Sequence, residues 1–154
     1  MRARREREEM ERVAPEMVWL DAPAGGWEGL APLWPFPRPE PHGLDALLEG
    51  GRLRLGVQYS EGFPMVEPKL YPLEPDPPLD RRVLHSWHLM GDGSLCLLQT
   101  ADLWTGRDTA ADLVVKASGW FIEYCLMERG LIERMTESGI YSDVTLDSLI
   151  EGLA

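Results

Sequence analysis

Cysteine is scarce in this chain: Cys96 and Cys125 are the only two in 154 residues. Two thiols make no disulfide framework, and no secretory apolar region opens the sequence. The expectation is a cytoplasmic protein in a reducing compartment, with Cys96 a free thiol. Long apolar runs are also missing; none reaches the roughly 18 residues of a membrane-spanning helix. Positive charge is in deficit, with 15 Lys and Arg against 26 Asp and Glu and a net charge of −11. That balance repels phosphate backbones and argues against nucleic acid as a main partner. The basic cluster Arg2, Arg4, Arg5 and Arg7 is diluted at once by Glu6, Glu8, Glu9 and Glu11, the pattern of a solvated helix face. A Gly-rich phosphate loop, a Ser-His-Asp ordering, a paired-carboxylate signature and internal repeats are all missing, so no cofactor is expected.

Proline and glycine are plentiful, thirteen and fifteen, and concentrate between residues 22 and 80. The length suits one domain over residues 1–154 with one core. Residues 3–13 read as a short charged helix closed by Pro15. Met17 to Leu20 reads as a strand. Residues 22–43 carry six prolines and read as an irregular loop, which Trp27, Trp34 and Phe36 should pack against the rest. Residues 52–59 alternate with period two, placing Leu53, Leu55, Val57 and Tyr59 on one face of a half-buried strand. Met65 to Tyr71 reads as the next strand, with Pro68 implying an edge position or a bulge. After residue 80 the period changes. Leu113, Val114, Ala117, Trp120, Phe121, Tyr124 and Cys125 recur at helical spacing. The pattern predicts a helix over about 109–129, with Asp108 or Thr109 as N-cap, Asp112 in the first turn and Gly130 as the stop. Two shorter helices are expected near 131–137 and 145–153. The order describes an α+β chain with helices segregated to its ends.

Cys96 lies in Gly93-Ser94-Leu95-Cys96-Leu97-Leu98, where a glycine turn leads into a short apolar stretch. His88 precedes it by eight residues and Trp104 follows it by eight. On composition alone a lone thiol is a small buried residue. His85, His88 and Cys96 also offer three metal-ligand types, but alternation would set the two histidines on opposite strand faces, and no fourth ligand stands at a characteristic spacing. No metal is expected.

The segment resembles the ubiquitin-conjugating enzymes. That family has a Tyr-Pro and proline-rich step, a His-Pro-Asn tripeptide, a Gly-x-(Ile/Leu)-Cys-Leu segment and a nearby Trp. Here Phe63-Pro64 with Pro68 stands at the first step, Ser86-Trp87-His88 at the tripeptide, Gly93 to Leu97 at the cysteine segment, and Trp104 beyond. The likeness covers residues 50–125. The tripeptide itself is absent, and by spacing His88 takes the place of its Asn. That departure is similar to the divergent bacterial members of the family, including stand-alone proteins of CBASS antiphage operons that sit beside a cGAS-like nucleotidyltransferase.

The resemblance implies a UBC-like fold: an antiparallel four-stranded meander with N-terminal and C-terminal helices. It implies a thioester on Cys96, formed with the C-terminus of a partner protein and passed to an amine. The partner would be the tail of the nucleotidyltransferase or a ubiquitin-like protein. The acyl group would come from a separate activating enzyme or by a route without one. His88 would donate to the oxyanion in place of Asn, Trp104 would wall the site, and His85 is the nearest supporting histidine. Two other readings stay open: a non-catalytic binding module on the same fold, and a conjugating enzyme for another bacterial ubiquitin-like protein. Cys125 reads as a core residue of the long helix.

Overall fold

The computed structural model describes residues 2–83, 85–98 and 104–154. Helix α1 (Arg2–Val13) leads into strands β1 (Met17–Leu20) and β2 (Gly26–Leu30), a short helix α2 (Leu44–Leu48), and strands β3 (Arg54–Gln58) and β4 (Lys69–Glu74). Two 3-10 turns follow, Leu79–Val83 and His85–Trp87, then the long helix α3 (Ala110–Glu128) and a last helix α4 (Thr145–Glu151). The four strands form one antiparallel sheet in the order β1-β2-β3-β4. The chain is α+β with helices at both ends, as the periodicities imply, and its sheet is a four-stranded antiparallel meander. Among the described residues no helix is long and apolar enough to cross a membrane.

The pleat explains the two faces of the sheet. Met17, Trp27, Leu55, Val57 and Leu70 are buried toward the helices, and their register partners place them on one side. Val18 and Leu20 alternate to the other side and stay exposed. Helix α3 closes the inner face, with Val114, Ala117, Ile122 and Leu126 wholly buried. Its start is fixed as the sequence implies: the Thr109 N–H donates to the Asp112 carboxylate at 2.7 Å. Gly119 lets the helix approach the C-terminal segment, since a Cβ there would lie 2.8 Å from the Ile140 side chain.

Four expectations are corrected. The proline-rich stretch 22–43 contains β2, whose backbone pairs with β1 on one side and β3 on the other. The rest of that stretch packs as expected: Phe36 is buried, and the Arg38 guanidinium donates to Asp147 Oδ2 at 2.8 Å and to the carbonyls of Ile140 at 2.6 Å and Tyr141 at 3.0 Å. The fourth strand begins at Lys69, because residues 60–66 fold into turns, with the Val66 N–H donating to the Gly62 carbonyl at 2.9 Å. Pro72, not Pro68, lies inside β4, at a sheet edge and beside a register shift at Arg54/Leu55. Residues 131–137 form no helix, because the Met135 N–H donates to the Ser86 carbonyl at 3.1 Å and the Thr136 N–H to Glu123 at 2.9 Å. Lastly, Glu6 is not on a solvated face. It is buried, and its Oε1 accepts the Tyr59 hydroxyl at 2.8 Å and the Ala110 N–H at 2.6 Å, at the start of α3.

Candidate functional site

Cys96 ends a short hairpin. Leu89 and Leu95 form an antiparallel bridge. The Met90 N–H donates to the Ser94 carbonyl at 2.8 Å, and the Cys96 N–H to the His88 carbonyl at 2.9 Å. Asp92 shapes the tip, accepting the Ser94 N–H at 2.9 Å and the Ser94 hydroxyl at 2.6 Å. Gly93 follows with φ +91, a left-handed conformation natural to glycine. Lys69 on β4 donates to Asp92 at 2.7 Å. The Lys69 ammonium first, and Ser94 second, hold the Asp92 carboxyl well below the usual carboxylate range. The Leu95 N–H donates to the Leu70 carbonyl at 2.8 Å, so the hairpin is pinned to the β4 backbone.

Three clefts meet at Cys96, which is half-buried. The first is a gap of about 30 Å³ against α3, lined by His88, Lys116, Trp120, Glu123 and Glu137 among others. That is the room of a single water. The other two are open, each about 340 Å³. One runs past Pro68, Leu70, Leu98 and Leu113. The other is bounded by Arg82, His85, His88, Leu89 and Met90.

His88 is half-buried and lines two of the clefts that Cys96 lines. Its backbone is left-handed, φ 48, a conformation that His tolerates better than most side chains and β-branched residues barely tolerate. Burial lowers the imidazole pKa; Glu137 opposes this and His85 adds to it. The ring is therefore neutral at neutral pH. His85 is exposed at the start of its 3-10 turn, lines the same open cleft, and accepts the His88 N–H on its carbonyl at 3.2 Å. Strand alternation does not apply to this pair, because residues 85–87 are a 3-10 turn.

Trp104 is not among the residues that line these three clefts. Its indole N–H donates to the Pro64 carbonyl at 2.8 Å and its ring packs against Phe63. In the clefts that Cys96 lines, the wall is Trp120, fixed by its N–H to the Trp87 carbonyl at 2.9 Å. Glu123 is the other residue that motif reading passed over. It is 2% exposed, its Oε1 accepts both the N–H and the hydroxyl of Thr136, and burial raises its pKa. A single carboxylate inside the apolar run Trp120 to Leu126 was a visible signal of it.

The backbone at position 88 makes one prediction. His88→Val should lower stability by about 2 kcal/mol, the cost of forcing a β-branched residue into a left-handed conformation, whereas His88→Gly should keep the hairpin. Urea denaturation of the two variants measures this, and equal losses would contradict it.

Comparison with family models, with curated proteins and with solved structures finds no match.

Proposed function

We propose that this chain is a ubiquitin-conjugating-enzyme-like acyl carrier on a UBC-like fold. Cys96 takes the C-terminal acyl group of a partner protein as a thioester and passes it to an amine. The cargo we favour is the tail of a cGAS-like nucleotidyltransferase in CBASS antiphage defence. The observation that supports the reading best is the placement of Cys96, on a pinned hairpin where two clefts of about 340 Å³ and one small gap of about 30 Å³ meet. Two open sides give separate approaches to an acyl donor and an amine. On the third side Trp120 lines a gap with room for about one water.

The chemistry needs little else. The Cys96 thiolate attacks an activated carbonyl, and the donor's leaving group departs. An unprotonated amine then attacks the thioester, the C–N bond forms as the C–S bond breaks, Cys96 leaves as thiolate and the nitrogen sheds one proton to solvent. Both steps pass through an oxyanion, for which His88 supplies an imidazole donor. The direct test is intact mass of the chain incubated with candidate cargo and activating enzyme. An adduct that thiol reagents remove supports the reading. A partner complex that forms and signals normally without Cys96 makes the chain a binding module instead.

His88 titrates where Asn would not, and the sign of the effect follows from its environment. Below its pKa the ring carries charge and stabilises an oxyanion more strongly. Burial places that pKa below the ordinary 6.5, with Glu137 and His85 as the neighbouring charges. The ratio of wild-type to His88→Asn transfer rates should be flat above pH 6.5 and rise as pH falls below it. Taking the ratio cancels protonation of the amine. Stability runs the other way. The unfolded chain binds the His88 proton first, so wild type loses stability relative to His88→Asn as pH falls below 6.5. Identical pH profiles for the two proteins would remove His88 from the transfer step.

A further inference from the structure

The two open clefts beside Cys96 differ in charge. The one past Pro68 and Leu70 contains Glu67 and the paired Lys69 and Asp92. The other contains Arg82, His85 and His88, with no carboxylate among the described residues that line it. In a chain of net charge −11 this is a local reversal.

Arg82 is the informative residue. Its side chain is 23% exposed, yet among the described residues no hydrogen bond reaches its guanidinium. Its Nε is buried without a partner. Its one ion pair is long, 3.6 Å to Asp76, which is itself 74% exposed. The Nε of Arg2 and of Arg52 is likewise without a partner, but both of those guanidinium groups make hydrogen bonds through Nη atoms, as do Arg38 and Arg81. Arg38 donates to Asp147 and to two carbonyls. Arg81 donates to the Tyr124 hydroxyl at 2.7 Å, pairs with Glu128 and lies 4.0 Å over the Trp87 ring. Arg82 is instead held under the hairpin tip, where a Cβ on Gly93 would come 3.0 Å from its Cζ. A side chain other than glycine at position 93 would push it away. Arg82 therefore lines this cleft and also the neighbouring one that holds Gly93, Glu28, Asp76 and Asp92, with its Nε left without a partner. A guanidinium fork matches the two oxygens of a carboxylate bidentately.

We infer that this cleft is a carboxylate-recognition subsite, which binds an acidic side chain on the tail of the acyl donor or the free terminal carboxylate of the same tail before it is activated. The inference rests on the acyl-carrier reading for the identity of the partner, not for the chemistry of the cleft. Arg82 supplies the charge-assisted bonds and His85 a further donor at the rim.

Three blocked tetrapeptides test it: acetyl-Gly-Glu-Gly-Gly-amide, acetyl-Gly-Gln-Gly-Gly with a free C-terminus, and the neutral acetyl-Gly-Gln-Gly-Gly-amide. Each is titrated into the isotopically labelled full chain at constant ionic strength. The Arg82 Nε–H and the His85 and His88 ring signals are followed by NMR. At least one charged peptide should bind about tenfold more tightly than the neutral one and shift the Arg82 signal. Whichever binds identifies the source of the carboxylate. Arg82→Gln should remove the preference and Arg82→Lys should keep part of it. Equal binding of all three peptides, or a preference that survives Arg82→Gln, overturns the subsite. Should Arg82→Gln unfold, the wild-type Arg82 signal decides alone: unshifted by either charged peptide, it overturns the subsite too. The Cys96 adduct assay is read separately. Selective binding without an adduct sinks the acyl-carrier reading and leaves the subsite standing. An adduct without carboxylate preference does the reverse.

Discussion

Cys96→Ala should abolish the thiol-labile adduct and amine transfer together, while Cys125→Ala leaves both within about twofold of wild type. The two thiols differ in their surroundings. Cys96 is half-buried at the meeting of three clefts, on a hairpin whose backbone is hydrogen-bonded on both strands. Cys125 packs against the core on α3. Burial pushes its thiol pKa up to about 11, with Glu128 adding to the effect and Arg129 opposing it. A thiol with so high a pKa is almost entirely protonated at neutral pH and does not attack an acyl group. Loss of folding is a separate matter. Cys96→Ala removes one half-buried sulfur and should cost no more than about 1 kcal/mol, so its urea midpoint should stay close to wild type. An adduct of undiminished mass yield on Cys96→Ala would end the reading. So would an adduct that Cys125→Ala removes.

The largest effect on stability is expected at Glu6. Glu6→Ala should cost about 3 kcal/mol, lowering Tm by about 6–12 °C. Its carboxylate is the shared acceptor of two donors from distant parts of the chain, the Tyr59 hydroxyl and the Ala110 N–H. Tyr59 in turn accepts the Trp27 indole N–H at 3.1 Å. Burial first, and the Glu6 charge second, push the Tyr59 pKa far above its ordinary value, so the hydroxyl remains a donor at every accessible pH. Removing the carboxylate strands both donors, one of them on the wholly buried Ala110. It also withdraws a negative charge from the start of α3, worth up to about 1 kcal/mol. Glu6→Gln keeps an acceptor oxygen and should lose less than half as much. Denaturant melts with unchanged slope would confirm that the folded state is what changed. If Glu6→Ala and Glu6→Gln both lose under about 0.5 kcal/mol, the carboxylate holds nothing together.

Much of the architecture was legible because it is written in local period. The stripe from Leu113 to Cys125 announced α3, and Asp112 its first turn. The alternation of Leu53, Leu55 and Val57 announced β3. What was not legible depends on partners far along the chain. Strand β2 holds two apolar residues, Trp27 and Leu30, beside two glycines and is flanked by prolines; it is a strand because β1 and β3 bracket it. Residues 131–137 have helix-like composition, but their N–H groups find Ser86 and Glu123 first. Glu6 looked like one charge in a charged run, and only the approach of α3 gives it a role. The site divides in the same way. The glycine turn put His88 and Cys96 opposite each other within nine residues, so their pairing could be read. Arg82, Trp120, Glu123 and Glu137 reach Cys96 through packing, from segments with no motif of their own. Trp104 had the expected spacing, but the Pro64 carbonyl holds its indole.

The Arg38 clamp has a consequence for how the protein is made. Arg38 and Asp147 are 109 residues apart in sequence. At ordinary synthesis rates, roughly 5–20 residues per second, Asp147 is added about 5–20 s after Arg38. During that interval the proline-rich segment has no acid to hold it, and Trp34 and Phe36 lack the Ile140 and Tyr141 carbonyls that anchor Arg38 beside them. The sheet can pair earlier, since all four strands lie before residue 75. The nascent chain therefore carries an aromatic loop open to chaperones until synthesis has passed its last helix.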